Sequence, residues 1–359
     1  MNAIRRYVRP EQIRELSLLV IILLAILIFG TQIDNYFNFR TFNRIAGSVM
    51  IITVVAVGQT LVVLTRNIDL SVGSIVGFTA FVAGDIISAN SGLAPLVLVL
   101  LTMGIGASFG VLNGLLIAYG RIPAIIVTLG TMAIIRGFLV EISGSRTILV
   151  SNLPDWLINL PRENLLTVGD LEIRTLVGIA IVVVIAFQLV LIFLPYGRRL
   201  YAIGSNPDAA LIVGLPTQRI VLVAYVICGA LAGLGGFLFL ARFGTISVNA
   251  AVGMELQIVA AVVVGGVNIF GGSGTMLGAM LGAVLIGTLE QSLIRMDINE
   301  FWKDALLGVF ILIAIITDAL LLNRLRDLWA RRDTSAREQI QAAKVGHRAP
   351  MQGDCDHVS

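Results

Sequence analysis

The residues of this chain that could do chemistry are few, and none stands in a catalytic arrangement. Both histidines, His347 and His357, lie close to the C-terminus, so the serine of the "GGSG" turn at 271–274 has no imidazole to take its proton. No H-E-x-x-H pair is present to hold a zinc ion. Cys228 sits in an apolar run and Cys355 in the tail, a spacing that suits neither a disulfide nor a metal. The two lysines, Lys303 and Lys344, do not follow a glycine-rich loop, so a Walker A phosphate cradle is missing. These features predict a chain that is not an enzyme and that binds no metal and no cofactor of its own.

What remains is a set of polar residues inside apolar runs, where they are expensive and tend to face a bundle interior or a water-filled path. Arg66, Asn67 and Asp69 cluster at the inner end of one run. Arg66 and Asp69 read either as a local ion pair closing a turn or as a gate. Gln59, Asn113 and Asn268 could bond the hydroxyls of a passing solute along a path or could bond neighbouring helices. Arg136 and Glu141 stand near the outer end of a run, a position that suits the membrane interface. Glu255 and Glu290 fall near the ends of runs, where solvation is the default, and Trp156 and Trp302 suit anchoring at the membrane surface.

The elements that must position these residues follow from composition. Apolar residues make up 57% of the chain and charged residues 13%, against roughly 25% charged in a soluble domain. Mean hydropathy is +0.94. Such a chain cannot cover itself with polar groups, so lipid must be its main solvent. The net charge of +3 is modest and points to no nucleic-acid partner. Apolar runs long enough to span occur at 16–33, 45–65, 93–119, 122–141, 174–194, 220–241, 275–294 and 303–322. Two glycine-rich runs, 70–89 and 253–268, bring the expectation to about ten spans in an all-α membrane helix bundle. The first run follows Arg5, Arg6, Arg9 and Arg14 but is too long for a signal peptide and lacks a cleavage site, so it reads as a retained span.

With the N-terminus in the cytoplasm, ten crossings return the C-terminus there. This topology puts 16 basic residues inside and eight outside, in keeping with the positive-inside rule. The chain then divides into a cytoplasmic segment 1–15, a transmembrane domain 16–322 with a cytoplasmic loop 195–219, and a cytoplasmic tail 323–359 expected to be partly disordered. The connection 142–173, with Pro154, Trp156 and Pro161, falls outside. "NIDLSVGSIVG" (67–77) and "NIFGGSGTMLG" (268–278) share Asn67/Asn268, Ile68/Ile269, Gly73/Gly274 and Gly77/Gly278, a faint internal echo in the same orientation.

The stretch 196–219 is polar amid the grease. Asn206 is a good N-cap, Pro207 suits the first helical position, and Asp208 favours the positive end of the helix dipole. Gly214 and Pro216 then stop the helix, leaving under two turns at 207–213. So short a helix needs something to pack against, and Ala209, Ala210, Leu211 and Val213 offer small and apolar surface. It reads either as a turn lying on the membrane or as a knob for a cytoplasmic partner.

A family resemblance favours the knob. "GQTLVVLTRNIDLSVGSIVG" (58–77), "RIPAIIVTLGTMAIIRG" (121–137), "YAIGSNPDAALIVGL" (201–215) and "AAVVVGGVNIFGGSGTMLGAMLGA" (260–283) resemble the permease subunit of bacterial ABC importers of the ribose, xylose, rhamnose and autoinducer-2 type. The similarity covers roughly 15–325. It implies a fold similar to the larger importer permeases and places Ala210 and Gly214 at the alanine and glycine of the A-x-x-x-G loop that grips the ATPase. Asp208 stands where that loop has glutamate. It further implies a second permease subunit, identical or not, an ATPase with two fused nucleotide-binding halves that consumes the ATP, a periplasmic sugar-binding protein, and a place in the bacterial inner membrane. "EFWKDALLGVFILIAI" and "VVGGVNIFGGSGTMLGA" resemble the rhamnose and autoinducer-2 branch most, with L-rhamnose favoured as substrate. The competing readings are an ion-coupled secondary transporter, for which Asp85, Glu141 and Glu290 stand too near span ends, and a channel or membrane scaffold.

Overall fold

A computed structural model describes residues 10–168, 171–298 and the positions 302, 305, 308, 309, 312, 313 and 316. Met1–Leu312 form one compact unit and Ile313–Ser359 a second, and the architecture below belongs to the first. The chain opens with α1 (Pro10–Gln32), α2 (Phe39–Leu64), α3 (Val72–Ala89), α4 (Pro95–Ala118) and α5 (Ala124–Ser143). The connection 142–173 holds a short α6 (Asp155–Asn159) and the hairpin of β1 (Asn164–Val168) and β2 (Leu171–Arg174), paired antiparallel with Leu166 opposite Ile173. Then follow α7 (Thr175–Phe193), α8 (Pro195–Ser205), α9 (Pro207–Ile212), α10 (Thr217–Phe243), α11 (Met254–Val264) and α12 (Met276–Arg295).

Among the described residues, α1 to α5, α7, α10 and α12 are long and apolar enough to cross a membrane. The run at 253–268 does not give a full span. Its helix, α11, has 11 residues and so rises about 16 Å, half of a bilayer core. The expected span at 303–322 and the tail with Cys355 lie outside the described residues but for isolated positions.

Burial explains which helices are central. α2 is hydrophobic all round and almost wholly buried from Val49 to Leu64, while α1, α4, α5 and α7 leave apolar faces uncovered, as helices bordered by lipid do. α4 and α10 approach closely because glycines repeat on the facing sides. A side chain on Gly106 would meet the carbonyl of Gly229, one on Gly110 that of Tyr225, and one on Gly233 that of Thr102. Cys228 is fully buried, as its place in a span requires.

Two stretches of irregular backbone fold back into this bundle from opposite ends. Residues 65–71 leave α2 and return until Ile68 accepts a hydrogen bond from the Tyr225 hydroxyl of α10 (3.3 Å). Residues 244–253 leave α10 at the other end, bridge Ile246 to Ile148, and return until Ala250 accepts from Arg136 Nη1 of α5 (2.6 Å). α3 and α11 thus start inside the molecule, and their first turns meet: the Ala251 carbonyl and the Glu255 carboxylate crowd the α-carbon of Gly73.

Candidate functional site

The α8–α9 hairpin realises the local chemistry of its sequence. Asn206 caps α9 by accepting from the Ala209 N–H (3.0 Å), and Pro207 opens the helix. The helix closes as Leu215 N–H reaches back to the Ala210 carbonyl (3.0 Å), with Gly214 at φ +76°, a conformation that favours glycine. The expected helix at 207–213 is one residue shorter, and the loop 195–219 contains a helix, α8, that sequence reasoning missed. Ala210 turns inward and is 4% exposed, whereas Leu211, Ile212 and Val213 are 59%, 86% and 73% exposed. Asp208 and Ala209 are also exposed. Covering such side chains is worth about 1.5–3 kcal/mol each. An apolar tip flanked by the exposed Arg198, Arg199 and Arg219 is therefore built to be covered by something.

The base of the hairpin is tied to the bundle. Tyr201 donates to the Gly274 carbonyl (2.7 Å), and Tyr196 donates to the Ile220 carbonyl (3.3 Å) while burial pushes its phenol above the ordinary range. Arg66 has φ +66°, unusual for a side chain of its size, and is held there by bonds from Nε to the Gly204 carbonyl (2.6 Å) and from Nη2 to the Ser205 carbonyl (2.8 Å). The Leu64 carbonyl accepts from Gly272 N–H (3.1 Å), and a side chain on Gly204 would run into that carbonyl and the Gly272 backbone. The two echoed loops therefore turn at the same end of the molecule, and the hairpin is wedged between them. Asn268 closes the second loop on itself, donating to the Gly271 carbonyl (3.2 Å) and accepting from Phe270 N–H (3.0 Å). Asn67 does the same for the first, donating to the Thr65 carbonyl (3.0 Å).

Asp69 is elsewhere. It is fully buried and does not pair with Arg66, so the local ion pair considered from the sequence is absent. Its Oδ1 accepts from the Ser71 N–H (2.9 Å) and the Ser71 hydroxyl (2.6 Å), and Ser71 Oγ in turn accepts from Asn113 Nδ2 of α4 (2.9 Å). With its amide turned to suit both neighbours, Gln59 donates to the Asp69 carbonyl (3.2 Å) and accepts from the Asp69 N–H (3.1 Å). An α2 side chain thus replaces the helical partners that this backbone gave up, which irregular structure at membrane depth demands. Among the described residues, Asp69 Oδ2, Ser74 Oγ, Asn113 Oδ1 and Glu255 Oε2 are buried without a partner.

The structure thus sorts the polar residues into two groups. Gln59, Asp69 and Asn113 come together at the α2–α3 break, joined by Ser71, which sequence reasoning passed over. Arg66, Asn67 and Asn268 gather at the base of the hairpin. Two expectations are corrected. Arg136 does not serve the interface but anchors the inward-folding stretch at Ala250, and Glu255 is only partly solvated, with Oε2 buried, because α11 begins inside the bundle. The spacing of Gly73 and Gly77, each crowded by residues 250–255, was the available signal for that meeting.

The fold agrees with what comparison shows. The description "branched-chain amino acid transport system / permease component" matches residues 41–315. Similar relatives include the autoinducer 2 import system permease protein LsrC of Yersinia enterocolitica, 35% identical over 307 residues, or 85% of this chain and 82% of that one. The protein of the same name in Photorhabdus laumondii is 33% identical over 305 residues, covering 85% of this chain and 89% of the relative. No solved structure matches. The chain belongs to the branched-chain amino acid transport system / permease component family, and it is a multi-pass membrane permease of the sugar and autoinducer-2 branch that its sequence resembles.

Proposed function

We propose that this chain is the permease subunit of an ATP-driven importer, energised through α9 by a cytoplasmic ATPase. The observation that carries this reading is the apolar tip Leu211–Ile212–Val213, held out by a capped helix whose base is bonded to the α2–α3 break through Arg66 and Gly204. A push on α9 is passed to Leu64 and Gly272 without slack, because no side chain separates the backbones at Gly204. The break is the part able to respond. Its irregular backbone is held by the side chains of Gln59 and Asp69 and not by a helical ladder, so a change in a few bonds can rearrange it. Broken helices whose first turns meet inside the bundle, as those of α3 and α11 do, are the usual setting for a transporter's path.

The working assembly in this reading has two permease subunits, an ATPase with two fused halves and a periplasmic binding protein, in a bacterial inner membrane with both termini cytoplasmic. The names of the relatives argue for autoinducer 2 as the cargo, with L-rhamnose as the alternative. Reconstitution of the chain with its partner ATPase and binding protein, followed by uptake of each labelled solute, tests this. ATP-dependent accumulation of one of them is the expected result. Uptake driven by a proton or sodium gradient with no ATPase present would replace this reading with the secondary transporter.

A further inference from the structure

At the end of the molecule opposite α9, Arg44 of α2, Arg174 at the head of α7 and Arg242 in the last turn of α10 line one cavity of about 210 Å³, with Pro161 at its edge. Three guanidinium groups around one small space repel each other, and Arg242 feels the like charge of Arg174 as well as the opposite charge of Glu290. Among the described residues, none of the three donates a hydrogen bond from its guanidinium to a protein acceptor, although Arg242 lies over the Phe243 ring (5.3 Å). The dipole at the end of α10 accounts for one cation there and not for three. Planar forks with free donors, turned toward a shared space, match the oxygens of a phosphate group.

The neighbouring space says what carries that phosphate. A second cavity of about 180 Å³ shares Pro161 and Arg242 with the first and is lined by Arg162 as well as by Leu153, Ile158 and Phe243. Guanidinium groups set among apolar side chains, at the ends of membrane helices, suit an amphipathic ligand. We propose that Arg44, Arg174 and Arg242 form a binding site for a phosphate-bearing anion, supplied by the headgroup of an anionic phospholipid whose chain lies along Leu153, Ile158 and Phe243.

The test uses the full chain, purified in mild detergent and exposed to equal amounts of phosphatidylglycerol and phosphatidylcholine, with bound lipid counted by native mass spectrometry. Phosphatidylglycerol should be retained preferentially. Arg174→Gln with Arg242→Gln should weaken that preference about fivefold per charge removed, the equivalent of roughly 1 kcal/mol per basic residue. Arg44→Gln, at an exposed position that folding tolerates, should give a single step of the same size. A parallel titration with inorganic phosphate separates the two sources. Thermal stabilisation by phosphate that the arginine variants lose, without a preference between lipids, would keep the anion site and assign it to the free ion. Equal retention of both lipids together with no phosphate effect in the parent chain would overturn the proposal. So would an unchanged lipid preference in both variants when only their stimulation by the binding protein is lost, which would give the arginines to an acidic protein surface.

Discussion

At the tip of α9, Leu211, Ile212 and Val213 stand exposed on a helix too short to bury them, whereas at the α2–α3 break Asp69, Ser71 and Asn113 are withdrawn completely from solvent. Each region inverts what its surroundings favour, apolar side chains in the open and a carboxylate in the grease. The inversions are held differently. The tip is held by backbone devices, a cap at Asn206 and a left-handed Gly214, and its side chains touch little. The break is held by side chains, with Gln59 and Ser71 supplying bonds that the backbone lost. The first arrangement leaves the surface free for a partner, and the second lets a change at one side chain release the whole segment. Arg66 and Gly204 join the two.

The joint itself should give the largest effect. Gly204→Val drives a branched side chain into the Leu64 carbonyl and the Gly272 backbone, and overpacking of this kind costs about 1–3 kcal/mol. We expect a marked loss of monodisperse protein in detergent. A normal yield and melting temperature would show that the two regions are not wedged together.

Asp69 should come next. Asp69→Leu removes the acceptor for the Ser71 N–H and hydroxyl, at about 1–3 kcal/mol, while Asp69→Asn keeps an oxygen in place and should be milder. Melting temperatures of the two variants in detergent compare them directly, and equal values would mean that the buried bonds do not hold the break. A smaller effect is expected for Arg66→Ala. The bonds to Gly204 and Ser205 are lost at a partly exposed site, for about 1 kcal/mol or less, so the chain should fold and insert while substrate-stimulated ATP turnover falls. Full stimulation would mean that the push from α9 travels by another route.

The two regions also differ in how far they could be read from the amino-acid sequence. α9 was legible because its signals are local: Asn206, Pro207, Asp208 and Gly214 act within a few residues of one another. The long spans were legible because hydropathy alone sets them. The half-helix α11 was not, since an apolar run of fitting length does not reveal that residues 244–253 fold inward and use up half the depth. Nor could the partner of Asp69 be read. Arg66 is three residues away in sequence, but a left-handed turn at Arg66 sends the two side chains apart, and the true partner is Ser71, itself held by Asn113, 42 residues later in the chain. Arg136 and Glu255 were misplaced for the same reason, because contacts across the bundle leave no local trace.

The central claim is that the exposed tip of α9 serves a partner and not the fold, and Ile212→Asp tests it most directly. Ile212 is 86% exposed, so its replacement should leave stability within about 0.5 kcal/mol. In the complex reconstituted with the ATPase and binding protein, the account predicts parent-like insertion and melting temperature with stimulated ATP turnover lost. Parent-like stimulation, or a variant that fails to fold, would contradict it.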